Sequence, residues 1–474
     1  VYKRQLNMIP TRIWISNKSK GLIWAIVTTL ALVLSTSISA IASNSGDASS
    51  RQSAFTSTGN NGRSDSAPGH SESASRGQSG QEHGNGSIKS GNGGGKKDPN
   101  DQKTIALNLL LNTKPTKDVQ SQLEKFGSIT SVLEEISAVT IRTKYGQIPN
   151  LVKTGLVSSY NEDQERLVDP ILEQSESNSA TFSDGYSSWN LDLINVTDGV
   201  GSNTTRVVSQ TGAGTYVAVI DTGLLKDWRA YFNESSIATE YAIAFGGGGG
   251  EQGTVSTQPN KWERDQDSHG THVTSTILGF RQPTRTITGV APGAKVIPVK
   301  VLNQNGSGWS SVVAAGILYV AELKQGPLSN SPVVINMSLG GPTLDVVEKA
   351  AIDYAIANGV IVVASAGNSG SKGMGFPGAY APVISVAAAG WTGEWTSVAT
   401  PGSWWRSIDV AENGTADAYM TSFSSRQLSG QQLDVAAPGS WIVGPYQTNG
   451  QFNWYFLGGT SMASPHVAGL AALM

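Results

Sequence analysis

The chain has 474 residues, of which 38% are apolar and 15% charged, and it contains 55 glycines and no cysteine. The lack of cysteine excludes disulfides, thiolate metal sites and cysteine nucleophiles, although it does not exclude export. Five of the 33 basic residues and none of the 36 acidic residues precede residue 43. The remainder is therefore net acidic, which argues against nucleic acid as a partner, because nucleic-acid binders carry a basic footprint.

The first 42 residues predict a signal peptide. Basic residues precede an apolar run at 21–34, and Ala40-Ile41-Ala42 fits the small-residue cleavage rule. The run is shorter than the ~20 residues that a transmembrane helix needs. We therefore expect a secreted, extracellular protein with no stable membrane span after signal removal. The alternative interpretation is an uncleaved membrane anchor.

Residues 43–103 and 104–170 differ sharply in composition. The first segment is rich in Ser, Gly and Asn and has almost no aliphatic residues, so we expect a disordered linker. The second predicts strands at 105–111, 128–133, 138–143 and 156–160, with helices at 117–126 and 148–152. The order β-α-β-β-α-β predicts a small ferredoxin-like α+β domain.

The rest of the chain divides at a Ser-rich stretch, 171–188, which we interpret as a processing linker. From residue 189 onward, short β-branched runs occur at 216–220, 296–302, 333–337 and 360–364, typical of parallel strands buried on both faces. Amphipathic helices are predicted between them, at 310–325 and 345–358. Residues 189–474 therefore predict an α/β domain with a mainly parallel sheet and helices on both faces.

Three short segments of this domain carry residues suited to chemistry. VAVIDTG (217–223) places Asp221 at the carboxyl end of a buried strand, where α/β sheets put their sites. DSHGTHV (267–273) supplies His269, and a general base acting near neutral pH is most often histidine. GGTSMASPHVAG (458–469) places Ser461 at the start of a helix. Taken singly, Asp221 also fits a turn cap and Ser461 a helix N-cap, while the two histidines three residues apart suggest a metal pair that lacks further ligands nearby.

Together, in the order Asp, His, Ser, these segments resemble the subtilisin-like serine protease family (subtilases, peptidase family S8). The resemblance covers roughly residues 189–474. It implies that Ser461 is the nucleophile, His269 the general base and acid, and Asp221 the group that orients His269. It also implies that Asn368 donates its side-chain N–H to the oxyanion beside the backbone N–H of Ser461. Two further histidines match positions that are structural in the family: His272 and His466.

The resemblance also implies where a substrate binds. Two segments match those that pair with an extended substrate backbone as added strands: Gly306, Ser307 and Gly308, and Ser338, Leu339, Gly340 and Gly341. Without the resemblance, the first of these fits an ordinary Asn-Gly turn. The S1 pocket would be lined by Ser365, Ala366, Gly367, Gly340 and Gly375. Because glycines leave room in this pocket, we expect a preference for large apolar P1 residues.

The segment 104–170 resembles the inhibitor-like propeptide of the family, which assists folding and acts as an intramolecular inhibitor until it is removed. No cofactor is required for the chemistry. The family's calcium loops are not matched by residues 280–288, so the sequence supplies no matched ligands for a structural calcium ion and the metal is left open. Residues 246–250 and 391–421 look like insertions relative to the family pattern. The tryptophans of the second predict either a polymer- or partner-binding surface or burial within the insertion: Trp391, Trp395, Trp404 and Trp405.

We therefore expect a secreted serine endopeptidase, made as a zymogen and acting on protein or peptide substrates. The alternatives are a dedicated processing protease that cuts one partner and a catalytically inactive binding domain. The second alternative is disfavoured because all four catalytic positions are intact. The sequence ends at Met474, inside the helix that begins near Ser461, and family members continue further. We expect from this a native gene product with a longer C-terminus.

Overall fold

The N-terminal part of the described chain forms an antiparallel sheet with two short helices. The computed structural model describes residues 99–168, 170–176, 189–200, 203–246, 252–283, 285–391, 418–448 and 450–474, which all belong to one compact unit, Pro99–Met474. The first elements are β1 (Thr104–Leu111), α1 (Lys117–Leu123), β2 (Gly127–Leu133), β3 (Ala138–Lys144), α2 (Ile148–Lys153) and β4 (Val157–Glu162). Their sheet order is β2-β3-β1-β4, with every pairing antiparallel, so the ferredoxin-like prediction is confirmed.

Alternation along β1 gives this small sheet two different faces. Leu107 and Leu109 are buried in its own core against the two helices, together with Ile141. Asn108 points the other way and is also fully buried. The structure differs from the prediction in α1, which ends three residues early because the backbone N–H of Phe126 closes a turn onto Leu123 O at 2.9 Å.

The segment predicted as a processing linker begins with a strand. Two short strands follow the small sheet, β5 (Glu165–Leu167) and β6 (Ile171–Glu176), and then come α3 (Trp189–Leu193), β7 (Thr197–Val200) and β8 (Asn203–Arg206). β6 differs from the open linker expected, since the edge of a later strand offers it backbone hydrogen-bonding groups. Residues 177–188 lie outside the described residues.

The larger domain is built on a mainly parallel sheet, as predicted. Its strands are β9 (Tyr216–Asp221), β10 (Ile243–Ala244), β11 (Gly279–Arg281), β12 (Thr286–Thr288), β13 (Lys295–Lys300), β14 (Ser307–Trp309), β15 (Val333–Met337), β16 (Val360–Ser365), β17 (Ile384–Trp391), β18 (Ala418–Met420), β19 (Val435–Pro438), β20 (Ile442–Thr448) and β21 (Gln451–Gly458). Its helices are α4 (His269–Leu278), α5 (Ser310–Gln325), α6 (Val346–Ala357) and α7 (Thr460–Leu473). The main sheet runs β10-β13-β9-β15-β16-β17-β18, with β19 on β17, and only the β17–β18 pair is antiparallel.

Helices cover both faces of this sheet. Val217 and Val219 of β9 pack in the core that contains α4 and α7. Ala218 and Ile220, which point to the opposite face, pack in the core that contains α5 and α6. Burial on both faces explains why these strands are continuous apolar runs rather than alternating ones.

Several predictions lie outside the described residues. These are the signal peptide at 1–42, residues 43–98 of the linker predicted at 43–103 and most of the insertion at 391–421, including Trp395, Trp404 and Trp405. Trp391 is described; it is half-buried and stacks on Trp189 with the ring centroids 6.3 Å apart. Among the helices that the structure describes, none has the length and apolar character needed to cross a membrane.

Candidate active site

Asp221 and His269 meet at the carboxyl edge of the sheet. β9 ends on Asp221 and α4 begins with His269, and both side chains are fully buried. Nδ1 of His269 lies 2.8 Å from Oδ1 and 3.0 Å from Oδ2 of Asp221. Oδ1 also accepts the backbone N–H of Thr222 at 2.7 Å. The carboxylate is therefore held in place while it fixes the orientation of the imidazole ring.

The electrostatics of this pair favour a charged imidazole. Burial lowers the pKa of His269, but the carboxylates of Asp221, Asp267 and Asp265 together outweigh burial, so this pKa lies above its ordinary value. Nε2 of His269 is buried and has no hydrogen-bond partner among the described residues. That nitrogen is thus available for proton transfer. Nearby, burial raises the pKa of Asp267 to about 6, a group that the sequence analysis did not single out.

Ser461 lies in the first turn of α7 and exchanges hydrogen bonds with Ser338. The hydroxyl of Ser461 donates to Ser338 O at 3.1 Å, and the hydroxyl of Ser338 donates to Ser461 O at 2.8 Å. Ser461 O is free for this bond because Pro465, four residues later in the helix, has no N–H to donate. Ser338 therefore fixes both the hydroxyl group and the backbone carbonyl of the candidate nucleophile.

Asn368 is positioned by the residue before Ser461. Its Oδ1 accepts the backbone N–H of Thr460 at 2.9 Å and the Thr460 hydroxyl at 3.0 Å. A Cβ added to Gly459 would lie 3.4 Å from Asn368 Nδ2 and 3.6 Å from the backbone N of Ser461. The two N–H groups proposed for an oxyanion hole thus border the same small space, which glycine leaves open. Thr460 was missed by sequence reasoning, since an ordinary helix-start residue carries no separate signal.

The two predicted substrate-binding segments hold a strand of the chain itself. β14, which contains Ser307 and Gly308, pairs with β5 in antiparallel register. On the same side, Val168 N donates to Gly306 O at 2.9 Å. On the other side, Leu167 and Gly340 exchange two backbone hydrogen bonds of 2.9 Å. The cleft between residues 306–308 and 338–341 therefore binds an extended backbone as an added strand.

The residues predicted to line S1 come together beside this cleft. Gly375 N donates to Ala366 O at 2.9 Å, and Ser365 Oγ lies 3.5 Å from Leu339 O. A Cβ on Gly340 would lie 3.4 Å from Phe376 O, and one on Gly375 would lie 3.4 Å from Gly341 O. Side chains at these two glycines would therefore narrow the predicted S1 pocket.

The other two histidines of the domain are neutral structural groups. Burial lowers the pKa of His272 to about 3 and that of His466 to about 4. Nε2 of His272 donates to Ile442 O at 3.1 Å, and Nδ1 of His466 donates to Met462 O at 2.8 Å while Nε2 accepts from Asn190. Within the described residues no group of three or more His, Cys, Asp or Glu could hold a metal ion. The described residues therefore add no ligand set for the structural calcium ion that the sequence analysis left open.

A buried polar network joins the small sheet to the helices of the larger domain, and sequence reasoning did not find it. Asp163 accepts from Ser311 N at 3.0 Å, from the hydroxyls of Ser310 and Ser311 at 2.8 Å, and from Asn108 Nδ2 at 3.0 Å. α5 has no side-chain cap of its own, so this carboxylate caps it. Burial, and then the neighbouring Asp345, raise the pKa of Asp163.

Comparisons with known proteins agree with this geometry. The model of the Subtilase family (Peptidase S8) matches residues 212–474. Subtilisin DY from Bacillus licheniformis is 36% identical over 267 residues, which cover 56% of this chain and 77% of that protein. Subtilisin E from Bacillus subtilis (strain 168) is 36% identical over 270 residues, or 56% of each protein, so the chain spans about half the length of that relative.

A solved structure extends the similarity of fold. Fervidolysin from Fervidobacterium pennivorans, described as a keratinolytic enzyme related to subtilisin, is matched with a TM-score of 0.56 and 23% identity, over 80% of this chain and 55% of that one. Fold and comparisons together define a subtilisin-like α/β serine protease. The chain belongs to the subtilase family and is a serine endopeptidase.

Proposed function

We propose that the chain is a secreted protease zymogen that cleaves peptide bonds through Asp221, His269 and Ser461. The buried Asp221–His269 pair carries this proposal, because the helix that begins with His269 packs against the helix that holds Ser461 in its first turn. For the reaction, the Ser461 hydroxyl turns from Ser338 O towards Nε2 of His269. His269 takes its proton as Ser461 Oγ attacks the substrate carbonyl, and Asp221 stabilises the resulting imidazolium.

The oxyanion that forms is stabilised by the side-chain N–H of Asn368 and the backbone N–H of Ser461. Both groups border the space beside Gly459, and both are fixed before the substrate arrives. His269 then returns its proton to the leaving amine, and an acyl group remains on Ser461. Water, deprotonated by His269, then attacks the acyl group. The bond to Ser461 Oγ breaks, His269 returns the proton to that oxygen, and the second product leaves.

Residues 104–170 act as an intramolecular inhibitor in this proposal. β5 occupies the cleft that a substrate would use, with Leu167 paired to Gly340 and Val168 bonded to Gly306. After the cleft, Ile171 pairs with Gly458, three residues before Ser461. The chain is therefore held by a backbone hydrogen bond at Val168 and by strand pairing from Ile171 onward.

The cleavage preference proposed is for large apolar P1 residues, because Gly340 and Gly375 leave room in the S1 walls. Peptide-library profiling tests it, and a profile dominated by P1 Asp or Glu would contradict it. The same profile separates broad digestion from a dedicated processing protease, which would cut only a narrow set of sequences.

A fluorophosphonate probe tests the catalytic assignment. The full-length chain should be labelled and should hydrolyse peptides, whereas Ser461→Ala should do neither. Ser464→Ala is the matched control, because Ser464 lies on the same helix with its hydroxyl bonded to Asn336 at 2.7 Å. Labelling that survives Ser461→Ala would overturn the assignment.

A further inference from the structure

Arg166, in the middle of β5, is buried in the substrate cleft. Its side chain is 0% exposed, although arginine is almost never fully buried unless it is paired. The backbone of Arg166 stands opposite Gly308, and the next residue, Leu167, stands opposite Gly340. β5, which occupies the place of a substrate, therefore points the positively charged side chain of Arg166 into the protease.

The guanidinium group of Arg166 is bound by the protease helix α6. Its Nε lies 3.0 Å from Oε1 of Glu348 and its Nη2 lies 2.5 Å from Oε2, a bidentate arrangement. Nη2 also donates to Thr343 O at 3.0 Å, and Nη1 donates to Glu165 O at 3.0 Å. Glu348 is likewise 0% exposed.

Gly341 provides the space for this group. A Cβ at Gly341 would lie 2.6 Å from Nη1 of Arg166 and 2.5 Å from Glu165 O. Both distances are too short for a real side chain. The pocket is thus shaped for a planar guanidinium that follows the strand backbone closely.

The charges that face Glu348 change when β5 leaves the cleft. Three groups of the described chain face it: Arg166, Asp345 and Asp163. Arg166 and Asp163 depart with the propeptide, whereas Asp345 stays on the protease. Glu348 then remains beside a second carboxylate with no cation. A substrate that covers this pocket again must either supply a cation or leave a buried carboxylate unpaired, and the second is costly.

The register relates this pocket to the cleaved bond. Ser338 precedes Gly340 by two residues, and its carbonyl oxygen lies 3.1 Å from Ser461 Oγ. When a substrate pairs in the register of β5, one of its residues lies opposite Gly340. The residue two positions further along the substrate then lies opposite Ser338. The bond after that residue is next to Ser461, so the place of Arg166 corresponds to the fourth residue before the scissile bond, P4.

We propose that Glu348 is a specificity-determining residue that selects substrates with arginine at P4. This inference rests on the proposed function, since it takes Ser461 as the nucleophile. Lysine at P4 supplies the charge but not the bidentate fork, so it is accepted less well than arginine. The substrate class is therefore a peptide with a basic residue three positions before its P1 residue.

The test compares peptides that differ only at P4, carrying Arg, Lys or Leu, with the full-length chain after it has processed itself. The wild-type enzyme should cleave the Arg peptide with a kcat/KM at least about 30-fold above that of the Leu peptide, as expected for loss of one partner of a buried pair. Glu348→Gln should reduce this ratio to within about threefold. Glu348→Asp keeps the charge and should retain part of the preference.

The same change at an exposed position, Glu240→Gln, is the control and should leave the ratio unaltered. Equal cleavage of the Arg and Leu peptides by the wild-type enzyme would overturn the inference, as would an Arg preference that survives Glu348→Gln. The outcome in which no peptide is cleaved and no fluorophosphonate is bound would instead overturn the proposed function, and this inference with it.

Discussion

Replacing Asp163 should reveal how strongly the small N-terminal domain is attached to the protease. The carboxylate accepts four hydrogen bonds, three of them from Ser310 and Ser311 at the start of α5. Asp163→Ala removes all four and leaves an uncapped helix end. Each bond contributes about 0.5–1.5 kcal/mol net and a helix cap about 1 kcal/mol. Because a buried charge is also removed, we expect a loss of about 2–4 kcal/mol.

Asp163→Asn should behave differently, because it keeps the shape and can still accept from Ser311 N and donate to the Ser311 hydroxyl. Burial and Asp345 raise the pKa of Asp163 in the folded chain. The stability linked to this group is therefore fully present below its ordinary pKa and is lost as the pH rises through the raised value. Asp163→Asn cannot ionise, so its stability should fall less over that range than the parent's.

The assay is urea unfolding of the full-length chain carrying Ser461→Ala, which cannot cut itself, at about pH 5 and about pH 8. Asp118→Asn is the control, since Asp118 is exposed on α1. A free energy of unfolding for Asp163→Ala within about 0.5 kcal/mol of the parent would refute a buried cap at α5. So would a pH dependence of Asp163→Asn equal to that of the parent.

Three further predictions concern catalysis and maturation. Asn368→Ala should lower kcat by about 10²–10³-fold, the loss known for one oxyanion donor in subtilisin, with little change in KM. Steady-state kinetics measures both constants, and a change in KM alone would contradict the role of Asn368. Activity should be lost as the pH falls through the raised pKa of His269, because the general base must be neutral. Asp221→Asn removes the carboxylate that raises this pKa, so it should move the acidic limb of the kcat/KM profile to lower pH. A limb that does not move would argue against the Asp221–His269 pairing. Maturation should cut the chain between about Val168 and Ser183, which N-terminal sequencing of the processed protein tests. A mature chain that starts before Gln164 or after Asp192 contradicts the proposed maturation.

The sequence alone determined the α/β architecture and the elements that carry the candidate site. The β-branched runs of β9, β15 and β16 are buried on both faces, so their composition is a direct consequence of their position. The β-α-β-β-α-β succession of the small domain followed from local periodicity, and it is the succession that the structure has. Asp221, His269 and Ser461 could be selected because they occur in strings whose order resembles a known family.

The tertiary structure alone decided which distant residues share a desolvated environment. Arg166 and Glu348 are 182 positions apart and meet only because β5 enters the cleft beside α6. Neither residue stands in a recognisable string, and each taken alone would be assigned to a solvated surface. β6 was expected as an open linker because its pairing with β21 is not encoded in its own composition. Local pattern specifies secondary structure, whereas the free energy of a buried ion pair or an added strand depends on its partner, and only the folded chain supplies that partner.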